Sequence, residues 1–253
     1  MTPDSREGAM FHFIADLHLS PRTPGALGRF SFLLLRLARE RSCGAPRALY
    51  ILGDFFDAWI GDDDDDPFVE TVAARLKKAS LAGVDLFFLS GNRDFLLGEA
   101  FSRRAGWALL PDVHLLSANG WQLILTHGDA LCTNDTAYQR FREETRAVKW
   151  REDFLRQPLS ARREIAARMR KDSAREKNDK AEYLTDVSAA TTEDLIRAHG
   201  YATLIHGHTH RPARHDHFID GIHVERWVLA DWSETAGEVL SWDGETLARQ
   251  ILS

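Results

Sequence analysis

Apolar positions along this chain follow two alternating rhythms. Short β-prone runs at Phe11–Ala15, Ala48–Leu52, Val84–Leu89, Trp121–Thr126 and Tyr201–Ile205 have the length of buried strands. Between them the spacing turns helical: Leu33, Leu34 and Leu37 share one face of a helix over Leu27–Arg41, and Val69–Ala82 repeats the period. Strands alternating with helices predict an α/β layered fold. Further strand-like pieces lie around Phe218, at Val224–Leu229 and at Val239–Trp242, where Asp243-Gly244 supplies a hairpin turn. A second, antiparallel sheet packed on the first is therefore expected. Between about Asn134 and Ala181 the strand rhythm stops. Helices are predicted over Arg146–Phe154 and Ser160–Lys177, with Val148, Trp150, Phe154, Ile165 and Met169 set among arginines. The expected organisation is a core of residues 10–133 and 182–253 interrupted by a helical cap at 134–181.

Composition adds bounds. With 253 residues, 44% of them apolar and 28% charged, the chain has ample material for a core. It holds no apolar run near 18 residues, which excludes a transmembrane helix by sequence. The first nine residues are polar and lack the apolar centre of a secretory signal, so they are expected to form a loose tail. Cys43 and Cys132 belong to no metal-binding pair, fit a reducing cytoplasm and are read as structural. The net charge of −6 conceals an asymmetry: from Arg140 to Lys180, 14 Lys and Arg face 8 Asp and Glu, a balance of +6 that leaves −12 for the rest. Either this segment meets an anionic partner while an acidic centre binds cations, or it is a solvated helical face. The run Asp62–Asp66 is expected to be a solvated loop rather than a cation site.

Chemistry enters where the strands end. Each of the five runs is followed at once by a polar cluster: Asp16-Leu17-His18, Gly53-Asp54, Gly91-Asn92-Arg93-Asp94, His127-Gly128-Asp129 and His206-Gly207-His208-Thr209-His210. Any one of these alone reads as a turn or a cap. Together they place carboxylate, amide and imidazole donors on one rim of a sheet, where α/β proteins build their sites. Such donors suit Mn, Fe or Zn better than Ca or Mg. A shared carboxylate can hold two ions roughly 3.5–4 Å apart, where a water loses its proton near neutral pH. The constellation points to hydrolysis of a phosphate ester or anhydride.

These motifs, from Asp16 to His210, resemble the D-x-H, G-D, G-N-H-D/E, H and G-H-x-H pattern of the calcineurin-like metallophosphoesterase superfamily. The resemblance implies a β-sandwich flanked by helices and two divalent ions, with Mn2+ the expected metal. Asp16, His18, Asp54 and His210 would hold one ion; Asp54, Asn92, His127 and His208 would hold the other, with Asp54 bridging. Asp94, Asp129 and His206 are expected to orient ligand imidazoles through hydrogen bonds. One position departs from the pattern: Arg93 stands where many relatives carry histidine. Arginine stays protonated and cannot act as general acid, but it can clamp a phosphate oxygen. The alternative for Arg93 is an ion pair with Asp94.

The runs FIADLHLS, LYILGDFFDAWIGDD, SGNRDF, THGD and LIHGHTHRP resemble one branch of that superfamily, which splits the pyrophosphate of UDP-2,3-diacylglucosamine into UMP and 2,3-diacylglucosamine 1-phosphate during lipid A biosynthesis. That likeness implies catalytic roles for Asp54, Asn92, Arg93 and His208. It also implies substrate contacts from Asn92, Arg93, Asp135, Ser173, Lys177 or its neighbour Asn178, Lys180 and His208. The apolar residues of the cap would line a slot for acyl chains. The implied partner is a nucleotide-linked glycolipid met by peripheral contact with the cytoplasmic face of the inner membrane; neither nucleic acid nor an obligate protein partner is expected. Rival readings are another phosphodiesterase or nucleotide pyrophosphatase of the superfamily, and a non-catalytic scaffold, which would show missing ligands.

Overall fold

The structure is a computed structural model that describes residues 9–44, 46–179 and 185–252, the side chains of 173–179 excepted. The expected N-terminal tail lies outside the described residues. Two sheets face each other. The first has the order β11-β10-β1-β2-β3-β4, built from β1 (Met10–Ile14), β2 (Arg47–Leu52), β3 (Asp85–Leu89), β4 (Ala108–Leu109), β10 (Gly237–Trp242) and β11 (Leu247–Leu252). The second runs β5-β6-β7-β9-β8, from β5 (Val113–Ala118), β6 (Trp121–Thr126), β7 (Thr203–His206), β8 (Ala213–Ile219) and β9 (Ile222–Val228). The sequence leads one to expect an antiparallel second sheet, and here the structure differs. Its centre is parallel, β6 with β7 and β7 with β9, and only its flanks are antiparallel. The first sheet has β1, β2, β3 and β4 parallel, with antiparallel pairing only on the side of β10 and β11.

Alternation along the strands builds the layers. Phe11, Phe13, Tyr50 and Trp242 point between the sheets, where they meet Leu123, Leu125, Ile205 and Trp227. Ile14, Leu49, Ile51 and Phe88 point the other way, onto α1 (Pro24–Ser42), α2 (Pro67–Leu81) and α3 (Glu99–Ala105). On the far side Ile124, Leu204 and Val224 pack against Ile196 of α7 (Ala189–Ala198). The result is helix, sheet, sheet, helix: a β-sandwich flanked by helices.

The helical segment between β6 and β7 comprises α4 (Thr136–Arg146), α5 (Val148–Leu155) and α6 (Leu159–Asp179). The helix predicted from Arg146 breaks at Ala147, whose backbone is extended at ψ 136. Trp150, Phe154, Leu159 and Ile165 pack on the core. Hairpins close where the sequence carries αL-tolerant pairs: Asn119-Gly120 joins β5 to β6 with φ 51 and 80. Asp243, before β11, accepts from the Glu245 and Thr246 amides.

One histidine tests the burial of the core. His12 of β1 is 4% exposed, its Nδ1 lies 2.8 Å from Ser241 Oγ, and its Nε2 has no partner. Burial, with the charges of Arg36 and Arg47, lowers its pKa to about 3. The unfolded chain therefore takes up a proton below about pH 6.5 that the folded chain refuses, and stability is lost as pH falls from there toward 3. His12→Gln should make the fall in unfolding free energy between pH 7 and 4 shallower in urea titrations; equal slopes for the two proteins would refute this.

Candidate metal centre

Six parallel strands, three in each sheet, end on one rim. The backbones past their ends are cross-tied: Asp16 N donates to Gly53 O at 3.1 Å, His18 N to Asp54 O at 3.0 Å, and Gly207 N to His127 O at 2.9 Å. Tight reversals follow. Asp16, His18, Asp54, His208 and His210 all have φ between 46 and 68, the left-handed region. Such backbones cost of order 1–3 kcal/mol each and collect at functional sites. Two glycines make room for the carboxylates: a Cβ on Gly91 would stand 2.2 Å from Asp54 Oδ1, and one on Gly207 would stand 2.3 Å from Asp16 Oδ2.

All seven donors expected from the sequence meet here. Asp16, His18 and His210 can present ligand atoms within 4.8 Å of one another, and so can Asp16, Asp54 and His127. Asn92 Oδ1 lies 3.0 Å from His127 Nε2 and 2.9 Å from His208 Nδ1. His18 Nε2 and His210 Nε2 face each other at 3.4 Å. Asp16 is shared by both triads, whereas the sequence reading gave the bridging position to Asp54 alone.

The electrostatics ask for cations. Asp16 is fully buried, and its Oδ1 has no hydrogen-bond partner. Burial alone would raise its pKa, but the neighbouring imidazoles of His210, His127 and His18 hold it below the usual carboxylate range. Burial and the charge of His127 lower His208 to about 4, so it is a neutral donor at pH 7. His127 Nδ1 donates to Leu52 O at 2.9 Å, which turns Nε2 toward Asn92 Oδ1 and Asp54. A buried carboxylate oxygen without a donor, among imidazole nitrogens and an amide oxygen, fits a divalent ion.

The three expected imidazole-orienting residues do something else. Asp94 accepts from the amides of Gly91 and Phe55 at 2.8 and 2.7 Å, so it braces loop backbone; burial and the Asp54 charge raise it to about 7. Asp129 accepts from Tyr138 Oη (2.7 Å), Arg142 Nε (2.8 Å) and Arg146 Nη2 (3.3 Å), tying α4 to the core. His206 Nδ1 lies 2.9 Å from Gly207 O and its Nε2 3.1 Å from Arg226 Nη1. The imidazole of His210 is instead oriented by Asp231, 3.3 Å from its Nδ1. Asp231 follows the expected strand at Val224–Leu229, so the strand-end rule that selects the other donors could have found it.

A cavity of about 600 Å³ runs from these donors under the helical segment. Its lining combines His18, Asp54, Asn92 and His208 with Trp59, Phe95, Trp150, Phe154 and Met169. Val148, expected in the slot, is 73% exposed, and Ile165 packs on the core. Arg93 reaches the cavity and does not pair with Asp94: its guanidinium has no carboxylate partner among the described residues. Asp135 also borders the cavity and caps α4, accepting from Tyr138 N at 3.1 Å. Lys180 lies outside the described residues, as do the side chains of Ser173, Lys177 and Asn178, whose backbones continue α6.

The acidic run is a loop, with Asp63 and Asp65 exposed, but its carboxylates have partners. Asp62 accepts from the amides of Gly98 and Phe101, and Asp66 caps α2. Asp63 pairs with Arg162, and Asp64 and Asp65 with Arg163, while Asp57 pairs with Arg170. Much of the basic character of the inserted helices is thus met by the acidic core itself. As for the cysteines, Cys43 is exposed at the end of α1 and Cys132 is buried; both are free.

Residues 10–212 match the family described as calcineurin-like phosphoesterase. The chain belongs to that family, whose metallophosphoesterase domain implies divalent metal ions. Its relatives narrow the comparison. It is 48% identical over 232 residues, 92% of each chain, to the UDP-2,3-diacylglucosamine hydrolase of Aromatoleum aromaticum. It is 45% identical to the protein of that name from Stenotrophomonas maltophilia, over 94% of this chain and 98% of the relative. To the one from Cellvibrio japonicus it is 47% identical over 87% and 90%.

Arg162 is the buried half of the strip that docks α6: it is 2% exposed, donates to Ile60 O at 2.6 Å and forks onto Asp63. Arg162→Met leaves that carbonyl unsatisfied and should cost about 1–3 kcal/mol. The exposed Arg163→Met should cost less than about 1 kcal/mol. Urea unfolding of both variants checks the order, which fails if Arg163 proves the costlier.

Proposed function

We propose that this protein hydrolyses the pyrophosphate bond of UDP-2,3-diacylglucosamine, releasing UMP and 2,3-diacylglucosamine 1-phosphate, as the names of its relatives suggest. The observation that carries the reading is a cavity lined by two chemically different sets of side chains, metal-type donors and aromatic and aliphatic groups. A nucleotide-linked glycolipid has the same division.

Asp16, His18, Asp54 and His210 would hold one divalent ion, and Asp54, Asn92, His127 and His208 the second, with Asp16 close enough to serve both. When bound, the ions supply Lewis acidity to the phosphoryl oxygens and acidify a water for attack. Mn2+ is the expected metal. The chain's own part is positioning. Arg93, whose guanidinium has no carboxylate partner among the described residues, stabilises negative charge on the phosphate oxygens, and Asn92 and His208 line the same cavity. No group here need protonate the leaving phosphate of a pyrophosphate, which agrees with arginine in place of histidine. Asp135 would accept bonds from sugar or base hydroxyls, and Ser173, Lys177 or Asn178, and Lys180 would bind the anionic part of the substrate.

The segment 134–181 is the lipid-binding cap in this reading. No described helix is long and apolar enough to cross a membrane. Contact with the bilayer would be peripheral, at the cytoplasmic face of the inner membrane, helped by basic residues worth about 1 kcal/mol each near an anionic surface. No obligate protein partner and no nucleic acid enter the scheme. A non-catalytic scaffold would lack donors; all seven are in place.

Release of UMP from UDP-2,3-diacylglucosamine, compared with other nucleotide diphosphates under Mn, Mg, Co and Zn, tests the substrate. Asp54→Ala should abolish turnover. Arg93→Ala should lower kcat by about 10²–10³ while ion content by elemental analysis stays at the wild-type level. Complete metal loss in the arginine variant would contradict its role.

A further inference from the structure

We propose that Asp231 is a positioning residue of the metal centre, fixing the tautomer and orientation of His210 so that Nε2 is left as the donor to a cation. The proposal rests on the two-ion reading above and adds a residue to it.

The geometry of the imidazole carries the argument. Asp231 Oδ2 lies 3.3 Å from His210 Nδ1, and on the opposite edge of the ring Nε2 lies 3.4 Å from Asp16 Oδ1 and 3.4 Å from His18 Nε2. Carboxylates thus face both ring nitrogens, and a carboxylate only accepts; with a cation in place of the proton between Nε2 and Asp16, Asp231 would keep the remaining proton on Nδ1 and leave the lone pair on Nε2. A histidine with its proton on the other nitrogen would turn an N–H into the space a cation needs. The arrangement matches the general device by which a carboxylate behind a ligand histidine sets its orientation and basicity.

The position of Asp231 in the fold supports this independently. β9 is parallel to β7, and the chain leaving β9 arrives on the same rim as the other donors. Leu229 N donates to His206 O at 2.7 Å, and Trp232 N donates to Asp16 O at 3.0 Å. The dipeptide Asp231-Trp232 therefore holds two donors of one triad, the Asp16 backbone through an amide and the His210 ring through a carboxylate. Asp231 is 45% exposed, so its worth lies in orientation rather than in a buried ion pair.

The test is Mn2+ binding to the full chain, titrated after chelation and counted by elemental analysis, for wild type, Asp231→Asn, Asp231→Ala and His127→Ala. Wild type should bind two ions. Asp231→Ala should keep one at wild-type affinity and bind the other 10- to 100-fold more weakly. Asp231→Asn should fall between, since an amide oxygen still accepts from Nδ1–H. Excess Mn2+ should restore turnover in the Asp231 variants with KM for the substrate unchanged, and thermal unfolding of the metal-free proteins should match wild type. Two ions bound by both Asp231 variants with wild-type affinities would overturn the proposal. So would a metal loss that merely tracks lost stability of the metal-free protein. If wild type itself takes up only one ion, the two-ion reading falls, and a weakened or unweakened ion in Asp231→Ala still decides for or against Asp231.

Discussion

The Oδ1 atom of Asp16 is buried without a hydrogen-bond partner, with the His210 and His18 imidazoles 3.4 and 3.9 Å away, and the architecture of the rim follows from that. A buried charged oxygen is tolerated only where something positive sits beside it. The strand ends supply the surroundings that make a cation the natural occupant: Asp54 at the end of the neighbouring strand, imidazoles across the gap from the second sheet, and glycines that let the carboxylates approach backbone closely. The left-handed turns at five donor residues are the local cost of aiming side chains inward from strands that end together. A sandwich of two sheets, each parallel at its centre, is what lets donors separated by nearly 200 positions meet.

Much of this is legible in the sequence because the signal is local. A β-prone run closed by Asp, Asn or His states both the strand and the donor, and the five such places predicted are the five found. The short elements escape for an equally local reason: α3 has seven residues and β4 two, too few for a period to register. β5 alternates weakly, yet the Asn119-Gly120 turn after it was a usable mark. The parallel centre of the second sheet was hidden because strand direction is set by the connections, and α7, which carries the chain from the helical insertion to β7, was not predicted.

Charge was harder to read than pattern. The basic insertion and the acidic run Asp62–Asp66 look like separate surface features about a hundred positions apart, and composition cannot say that they face each other. Asp94, Asp129 and His206 were assigned by adjacency to donors, but a residue next to a ligand in the chain points elsewhere when the loop turns sharply. Asp94 and Asp129 face amides and guanidinium groups for that reason. Asp231 lies two residues beyond the strand expected at Val224–Leu229 and has no neighbouring histidine in the chain to mark it.

The pairing of α6 with the acidic loop bears on how such proteins diverge. Arg162, Arg163 and Arg170 meet Asp63, Asp64, Asp65 and Asp57 across elements that the chain order keeps far apart. The insertion cannot be reshaped along this strip alone; the segment Asp57–Asp65 has to change in step. Grafting the helices onto a foreign core without that loop would leave buried Arg162 uncompensated. The transplantable module is therefore the insertion together with its acidic counterpart, two stretches of sequence bound to each other by charge.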